Sequence, residues 1–190
     1  LPSRIDAADP GSLGARRRSM LAAGVLLTAP GVPMLFQGQE VLAAGRFADP
    51  PEPYDWGRRQ ARAPIVSFYR DLGRLRRNLD GKTPGLLGTN VEVYHVHDGN
   101  KVLAYRRWAT AGEDTVVVAN FSGRRYTRYD VGLPQGGTWR VRLSSDEARY
   151  SADFGGAPLA DVTALPMARD GLPFTGPIVL GPYSLVVLSR

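Results

Sequence analysis

The sequence has no cysteine, which excludes a disulfide framework and any thiolate metal site. Histidine is limited to His95 and His97, and lysine to Lys82 and Lys101, so the formal charge of +6 and the pI near 10.0 rest on arginine. The arginine pairs and runs at Arg16-Arg17-Arg18, Arg58-Arg59, Arg76-Arg77, Arg106-Arg107 and Arg124-Arg125 are scattered over unlike stretches. A nucleic-acid binder would gather them into one stripe, so their pattern reads as compositional bias and solvated faces. No apolar run approaches the roughly 20 residues that cross a bilayer. Residues 1–13 hold prolines and acids without an apolar centre, unlike a secretory or transit segment. Also missing are a Gly-x-Ser-x-Gly elbow, a phosphate-binding loop and a dinucleotide fingerprint. Neither nucleic acid, membrane, cofactor nor metal is expected as a partner, and the cysteine-free composition fits the cytoplasm.

What is present is globular in character. The chain has 190 residues, 43% hydrophobic and 22% charged, enough for one generous domain or two small ones. Its 22 glycines and 15 prolines imply many turns and a β-rich portion. Residues 12–40 read as a helix followed by a strand. Leu13, Met20, Leu21, Val25 and Leu27 fall on a helical face, Ser12 is a suitable N-cap, and Arg16 to Arg18 are expected on the solvent side. Pro30-Gly31 stops the helix near Thr28, because Pro30 lacks an N–H and pushes Ala29 out of the helical region. Residues 32–36 then form an unbroken apolar run, the pattern of a strand covered on both faces, with Pro33 fitting only its first position or an edge. Gln37, Gln39 and Glu40 would emerge at the polar strand end. In a (β/α)8 barrel such strand ends build the active face, whereas an ordinary buried strand ending in a polar turn fits the same local pattern. An α-to-β unit of this kind cannot cover its own strand and needs partners.

Residues 41–62 are loop-like, and the phrase Asp49-Pro50-Pro51-Glu52-Pro53-Tyr54-Asp55-Trp56 excludes helix and central strand. Trp56 can serve as a platform for the C–H face of a sugar or as a pin that holds its loop. Residues 65–79 form an amphipathic helix starting at Pro64 and closing near Asp80-Gly81, with Arg74, Arg76 and Arg77 set to complement its negative end. From residue 82 the period becomes strand-like. Runs at 91–96 and 101–107 flank a turn at His97-Asp98-Gly99-Asn100, and further strands are expected at 115–120, 127–132, 138–143, 178–180 and 183–189. They describe an antiparallel sandwich of seven or eight strands, with an irregular insertion over 144–177. His95 and His97 share a face, but no third ligand stands at a suitable spacing, so they are expected to face solvent.

Several phrases resemble the α-amylase superfamily of glycoside hydrolases (glycoside hydrolase family 13), and within it the C-terminal part of glycogen branching enzymes. They are Pro30-Gly31-Val32-Pro33 leading to Gly38-Gln39-Glu40, the Asp55-Trp56 loop, the helix phrase Tyr69-Arg70-Asp71-Leu72-Gly73-Arg74-Leu75-Arg76-Arg77-Asn78, and Val116-Val117-Val118-Ala119-Asn120-Phe121-Ser122. Leu143-Ser144-Ser145-Asp146, Phe154-Gly155-Gly156 and Leu180-Gly181-Pro182-Tyr183-Ser184-Leu185 follow in the same order. The resemblance implies an α/β plus all-β organisation: residues 1–81 as the helix-strand-helix end of a catalytic (β/α)8 TIM barrel, and residues 82–190 as a C-terminal all-β sandwich domain. It implies an α-glucan substrate and a parent enzyme that cleaves α-1,4 and forms α-1,6 linkages by a retaining mechanism. An α-amylase or a maltooligosyltrehalose trehalohydrolase is the alternative parent. A stand-alone glucan-binding module is the non-enzymatic alternative, opposed by the large apolar faces that residues 12–40 and 65–79 would expose.

The family's catalytic phrases, with their Asn-His, Gly-x-Arg-x-Asp and Asn-His-Asp wording, have no counterpart here. No catalytic residue is therefore assigned, and the chain alone is expected to be inactive and to work with the rest of the barrel. The resemblance gives Glu40 a supporting role at the barrel mouth, with Gln37, Gln39 and Trp56 as residues close to substrate.

Overall fold

The computed structural model describes residues 1–45, 54–156 and 158–190. The prolines of the Asp49 to Pro53 phrase therefore lie outside the described residues. Among the described residues four α-helices come first: α1 (Pro2–Ile5), α2 (Leu13–Thr28), α3 (Gly57–Ala61) and α4 (Ala63–Arg76). Eight strands follow among them: β1 (Asn90–His97), β2 (Val102–Trp108), β3 (Asp114–Asn120), β4 (Tyr126–Leu133), β5 (Gly137–Ser144), β6 (Val162–Ala164), β7 (Phe174–Leu180) and β8 (Ser184–Ser189). A six-stranded sheet runs in the order β1-β2-β3-β8-β5-β6, and β4 pairs with β7 in a second sheet, all neighbours antiparallel.

The layering follows from strand composition. Alternate side chains of β3 and β8 point to opposite faces, and both sets are apolar. Val117, Ala119, Leu185 and Val187 face a core shared with Met20, Leu21 and Leu27 of α2 and with Ile65, Phe68, Tyr69 and Leu72 of α4. Val116, Val118, Val186 and Leu188 face the other core, with Tyr129 and Val131 of β4, Ile178 and Leu180 of β7, and Trp139 of β5. Two helices, a six-stranded sheet and a two-stranded sheet thus form three layers. The apolar faces of α2 and α4, expected to stand exposed in a free chain, are instead buried against the sheet. Ser12 caps α2 by accepting from the Ala15 N–H at 3.1 Å.

Residues 32–36, expected as a buried strand, are not a strand. They pair with no strand among the described residues, and Val32 is 98% and Met34 79% exposed. An extended segment becomes a strand only where its backbone N–H and C=O groups meet a neighbour's.

Three further expectations change. Arg16 and Arg17 do not face solvent: Arg16 binds Ser151 (2.6 Å) and Asp153 (2.5 Å), and Arg17 binds the buried Asp146 (2.9 Å). Arg18 lies over the Tyr183 ring at 4.3 Å. Helix α4 stops at Arg76, short of Leu79, with Asn78 in the left-handed region (φ 48°) and accepting from the Thr83 N–H at 2.7 Å. The 144–177 region holds β6 and the start of β7, pinned by scattered buried side chains (Tyr150, Phe154, Val162, Ala164) and by polar contacts. Ser145 Oγ accepts from the Leu185 N–H (2.9 Å), and Gly181 sits so close to Asp146 that a Cβ there would lie 2.3 Å from Oδ2.

The C-terminal end of α2 is held by two guanidinium groups. Arg107, buried on β2, donates to the carbonyls of Thr28 (3.0 Å), Ala29 (3.3 Å) and Gly88, while Arg76 donates to Leu27 (3.4 Å), Ala29 and Gly31. Positive charge suits this end, where the last carbonyls lack helical partners and the dipole is negative. Arg76 thus serves α2 rather than the end of its own helix. The Thr28 hydroxyl donates to the Gly24 carbonyl (2.6 Å) and lies 2.5 Å from the hydroxyl of Tyr105, whose pKa burial pushes up to about 12.

Replacing Arg107 by Met keeps the volume but leaves these carbonyls without their charged donor. We expect a loss of about 3 kcal/mol in urea unfolding, and an unchanged midpoint would contradict the clamp. At Asp146 burial raises the carboxyl pKa above 3.8, and the nearby Arg17 only partly opposes it. The unfolded chain ionises first, so this group's contribution is complete below 3.8 and is lost as pH rises through the raised folded value. Asp146→Asn, which does not ionise, is expected to flatten the fall in stability across that window. Parallel stability-pH curves for the two proteins would refute this.

Candidate functional site

Past α2 the chain makes a tight turn that aims a carboxylate into a cleft. Gly38 (φ 84°) and Leu42 (φ 53°) bracket the 3-10 turn Gln39–Val41. Gly38 must be glycine on two grounds: its left-handed backbone and a Cβ position 2.7 Å from that of Ala43. Val41 and Leu42 anchor the turn in the interior. Gln39 Oε1 accepts from the Phe36 N–H at 2.6 Å, so this side chain closes the turn and does not line the cleft.

Glu40 Oε1 accepts from the Tyr54 hydroxyl at 2.8 Å, and the Tyr54 ring meets Trp56 edge-on with centroids 4.7 Å apart. The Tyr54 pKa is raised, first by burial and then by its hydrogen bond to Glu40. Gln37, Glu40, Tyr54, Trp56, Arg59 and Val66 enclose an open cleft of about 460 Å³. A second hollow of about 640 Å³ lies on the other side of Trp56 and Arg59, reaching Gln60, Ser67 and Arg70. Trp56 is 70% exposed and forms a wall of both. Asp55 Oδ1 accepts from the Gly57 N–H at 3.0 Å and opens α3, which carries Arg59.

The structure thus brings Gln37, Glu40 and Trp56 together and sets Gln39 apart. It adds Tyr54, Arg59 and Val66, to which the sequence reading assigned no role; the spacing Tyr54-Asp55-Trp56 was the available signal. Glu40 is the one carboxylate among the described lining residues, where glycoside hydrolysis uses a pair. It offers a flat aromatic wall, amide and guanidinium donors and a fixed carboxylate, which suits holding a polyhydroxylated ligand. Among the described residues no group of three or more His, Cys, Asp or Glu could hold a metal ion, and no helix is long and apolar enough to cross a membrane.

His95 corrects another expectation. A bulge between Val93 and His95 turns its ring inward, where Nδ1 lies 3.0 Å from Asp170 Oδ1 and Nε2 lies 2.9 Å from the Tyr129 hydroxyl. His97 is exposed and accepts from the Asn100 N–H at 3.1 Å, closing the hairpin turn. The two imidazoles do not form a metal pair.

Residues 93–190 match the family described as "Alpha amylase, C-terminal all-beta domain". The chain is 31% identical over 178 residues to a 1,4-alpha-glucan branching enzyme GlgB of Dechloromonas aromatica, covering 90% of this chain and 28% of that protein. The protein of the same name from Deinococcus radiodurans is 28% identical over 191 residues, covering 95% of this chain and 26% of its own length. The chain therefore spans about a quarter of the length of these relatives. In three dimensions it resembles a debranching enzyme from Nostoc punctiforme, with a TM-score of 0.61 at 18% identity, over 93% of this chain and 32% of that one. This last likeness is one of fold.

Gly38→Ala is expected to destabilise the turn by about 1–3 kcal/mol, as for other residues forced left-handed, with Ala43→Gly restoring only part of the loss. Guanidinium unfolding of the two variants measures this, and a Gly38→Ala protein as stable as the parent would contradict it.

Proposed function

The chain belongs to the α-amylase C-terminal all-β domain family, and on that premise we propose that it is the C-terminal part of a cytoplasmic 1,4-α-glucan branching enzyme. In this reading residues 1–81 complete a catalytic (β/α)8 barrel and residues 82–190 form the sandwich beside it. The acting carboxylates belong to earlier barrel strands, and the enzyme cleaves an α-1,4 linkage and transfers the chain to a 6-hydroxyl with retention. Glu40 supports the barrel mouth through Tyr54, while Gln37 and Trp56 border the glucan. Gln39 shapes the turn that delivers them.

The observation that carries the proposal is the segment 32–36. Three large apolar side chains, Val32, Met34 and Leu35, are exposed by 98%, 79% and 45% shortly before the Glu40 turn. A barrel's neighbouring strands would cover such a run and pair its backbone. The names of the relatives favour a branching enzyme over an α-amylase or a maltooligosyltrehalose trehalohydrolase. One observation favours a second reading, a stand-alone glucan-binding module: the burial of the apolar faces of α2 and α4 within the chain itself.

Iodine-stained amylose separates the two. The 190-residue chain is expected to leave the stain unchanged. Substituted for the matched C-terminal part of the Dechloromonas aromatica relative, it is expected to give a chimera that lowers the stain and raises the α-1,6 content. Branching by the isolated chain would sink the proposal. A chimera that folds but does not branch, set beside strong glycogen retention by the isolated monomer, would establish the module.

A further inference from the structure

The opposite end of α4 leads to a second cleft, which the Glu40 site does not use. Thr83 binds the Leu75 carbonyl near the end of that helix, and the turn it begins runs to Gly88, packed on the Trp108 backbone. The 14 residues of α4 span about 21 Å, so this cleft and the Trp56 cleft are separate. Its volume is about 440 Å³, within the range of about 300–1,000 Å³ of small-ligand sites. Arg106, Trp108, Asp114 and Gln135 line it.

These four side chains are fixed by one another. Asp114 is buried, with Oδ2 accepting from Gln135 Nε2 at 3.0 Å and Oδ1 lying 3.4 Å from Arg106 Nη1. Arg106 Nε donates to Glu92 at 2.7 Å, and the guanidinium lies 4.8 Å from the Trp108 ring centre. Two of the five guanidinium N–H groups are engaged in these bonds, which leaves donors to offer. An indole beside a held carboxylate, an amide and a guanidinium matches a pyranose: apolar C–H groups for the ring, and neighbouring hydroxyls that both donate and accept. The buried carboxylate opposes a phosphate or another anion, so the ligand chemistry is that of a neutral sugar.

We propose that the Trp108 cleft is a second α-glucan-binding site, on the outer end of the sandwich. The α-glucan class rests on the functional reading above, while the sugar chemistry rests on the cleft itself. Such a site would hold one branch of a glucan while another occupies the Trp56 side.

Indole 15N–1H signals test this in the 190-residue chain, which has Trp56, Trp108 and Trp139 as its three tryptophans. On titration with maltoheptaose the Trp108 signal is expected to move along its own saturation curve, while that of the buried Trp139 stays still. Gln135→Ala, checked for an unchanged fold by the Trp139 signal, is expected to weaken the Trp108 curve at least 5-fold and leave the Trp56 curve alone. A Trp108 signal that stays put while Trp56 moves overturns the second site and leaves the glucan reading standing. If neither moves, the second site falls, and the chimera's iodine stain alone decides the functional reading. An equal Trp108 response to cellohexaose overturns the α-glucan assignment of the site.

Discussion

Strands β3 and β8 are apolar on both sides, and water cannot be allowed to reach either. Antiparallel pairing with β2 and β5 fixes their register, so Val117, Ala119, Leu185 and Val187 point one way and Val116, Val118, Val186 and Leu188 the other. The second sheet covers one face and the pair α2 and α4 the other. With α2 laid on the sheet, its C-terminal end comes down beside β2, where Arg107 and Tyr105 receive it. The turn at Gly38 and the carboxylate of Glu40 take their positions from that docking. The cleft is built at the helix layer, but the sheet underneath decides where it stands.

Polar groups set the fine registration that apolar burial leaves loose. The Asn120 side chain donates to the carbonyls of Arg124 and Gly181, both at 2.7 Å, and accepts from the Ser122 N–H at 2.9 Å, tying the β3–β4 loop to the β7–β8 turn. Arg17 and Asp146 join α2 to the loop after β5. Buried polar groups of this kind carry a heavy penalty when a partner is lost, so they select one arrangement among many that would bury the same apolar area. The phrases Asn120-Phe121-Ser122, Ser145-Asp146 and Gly181-Pro182-Tyr183, part of the family resemblance, are these tie points.

Much of this could be read in the sequence because it is local. The Ser12 cap, the stop before Pro30, the face of α4 and the hairpin at 98–101 each depend on a few neighbouring residues. The misreadings concern partners distant in sequence. Arg16 and Arg17 looked solvated because Ser151, Asp153 and Asp146 lie far along the chain. His95 looked exposed because a bulge, invisible in the alternation, turned it toward Asp170 and Tyr129. The apolar run in β3 is covered on both faces, by helices of the same chain on one side and by the second sheet on the other. The same signal at Val32 and Met34 goes with exposure instead of cover. At the cleft, Gln37 and Glu40 were legible as polar residues after an apolar run and Trp56 as a loop aromatic, whereas the role of Tyr54 rests on its bond to Glu40, a partner 14 residues away.

The helices and the sandwich therefore pack as one body, from which Val32 and Met34 project. Hydrogen exchange of the intact chain, followed by peptide mass, tests this most directly. Amides of α2, α4, β3 and β8 should exchange together, through global opening alone, while those of 32–35 exchange at nearly the rate of an unstructured peptide. Exchange of α2 and α4 well before β3 and β8, or strong protection of 32–35, would contradict the account.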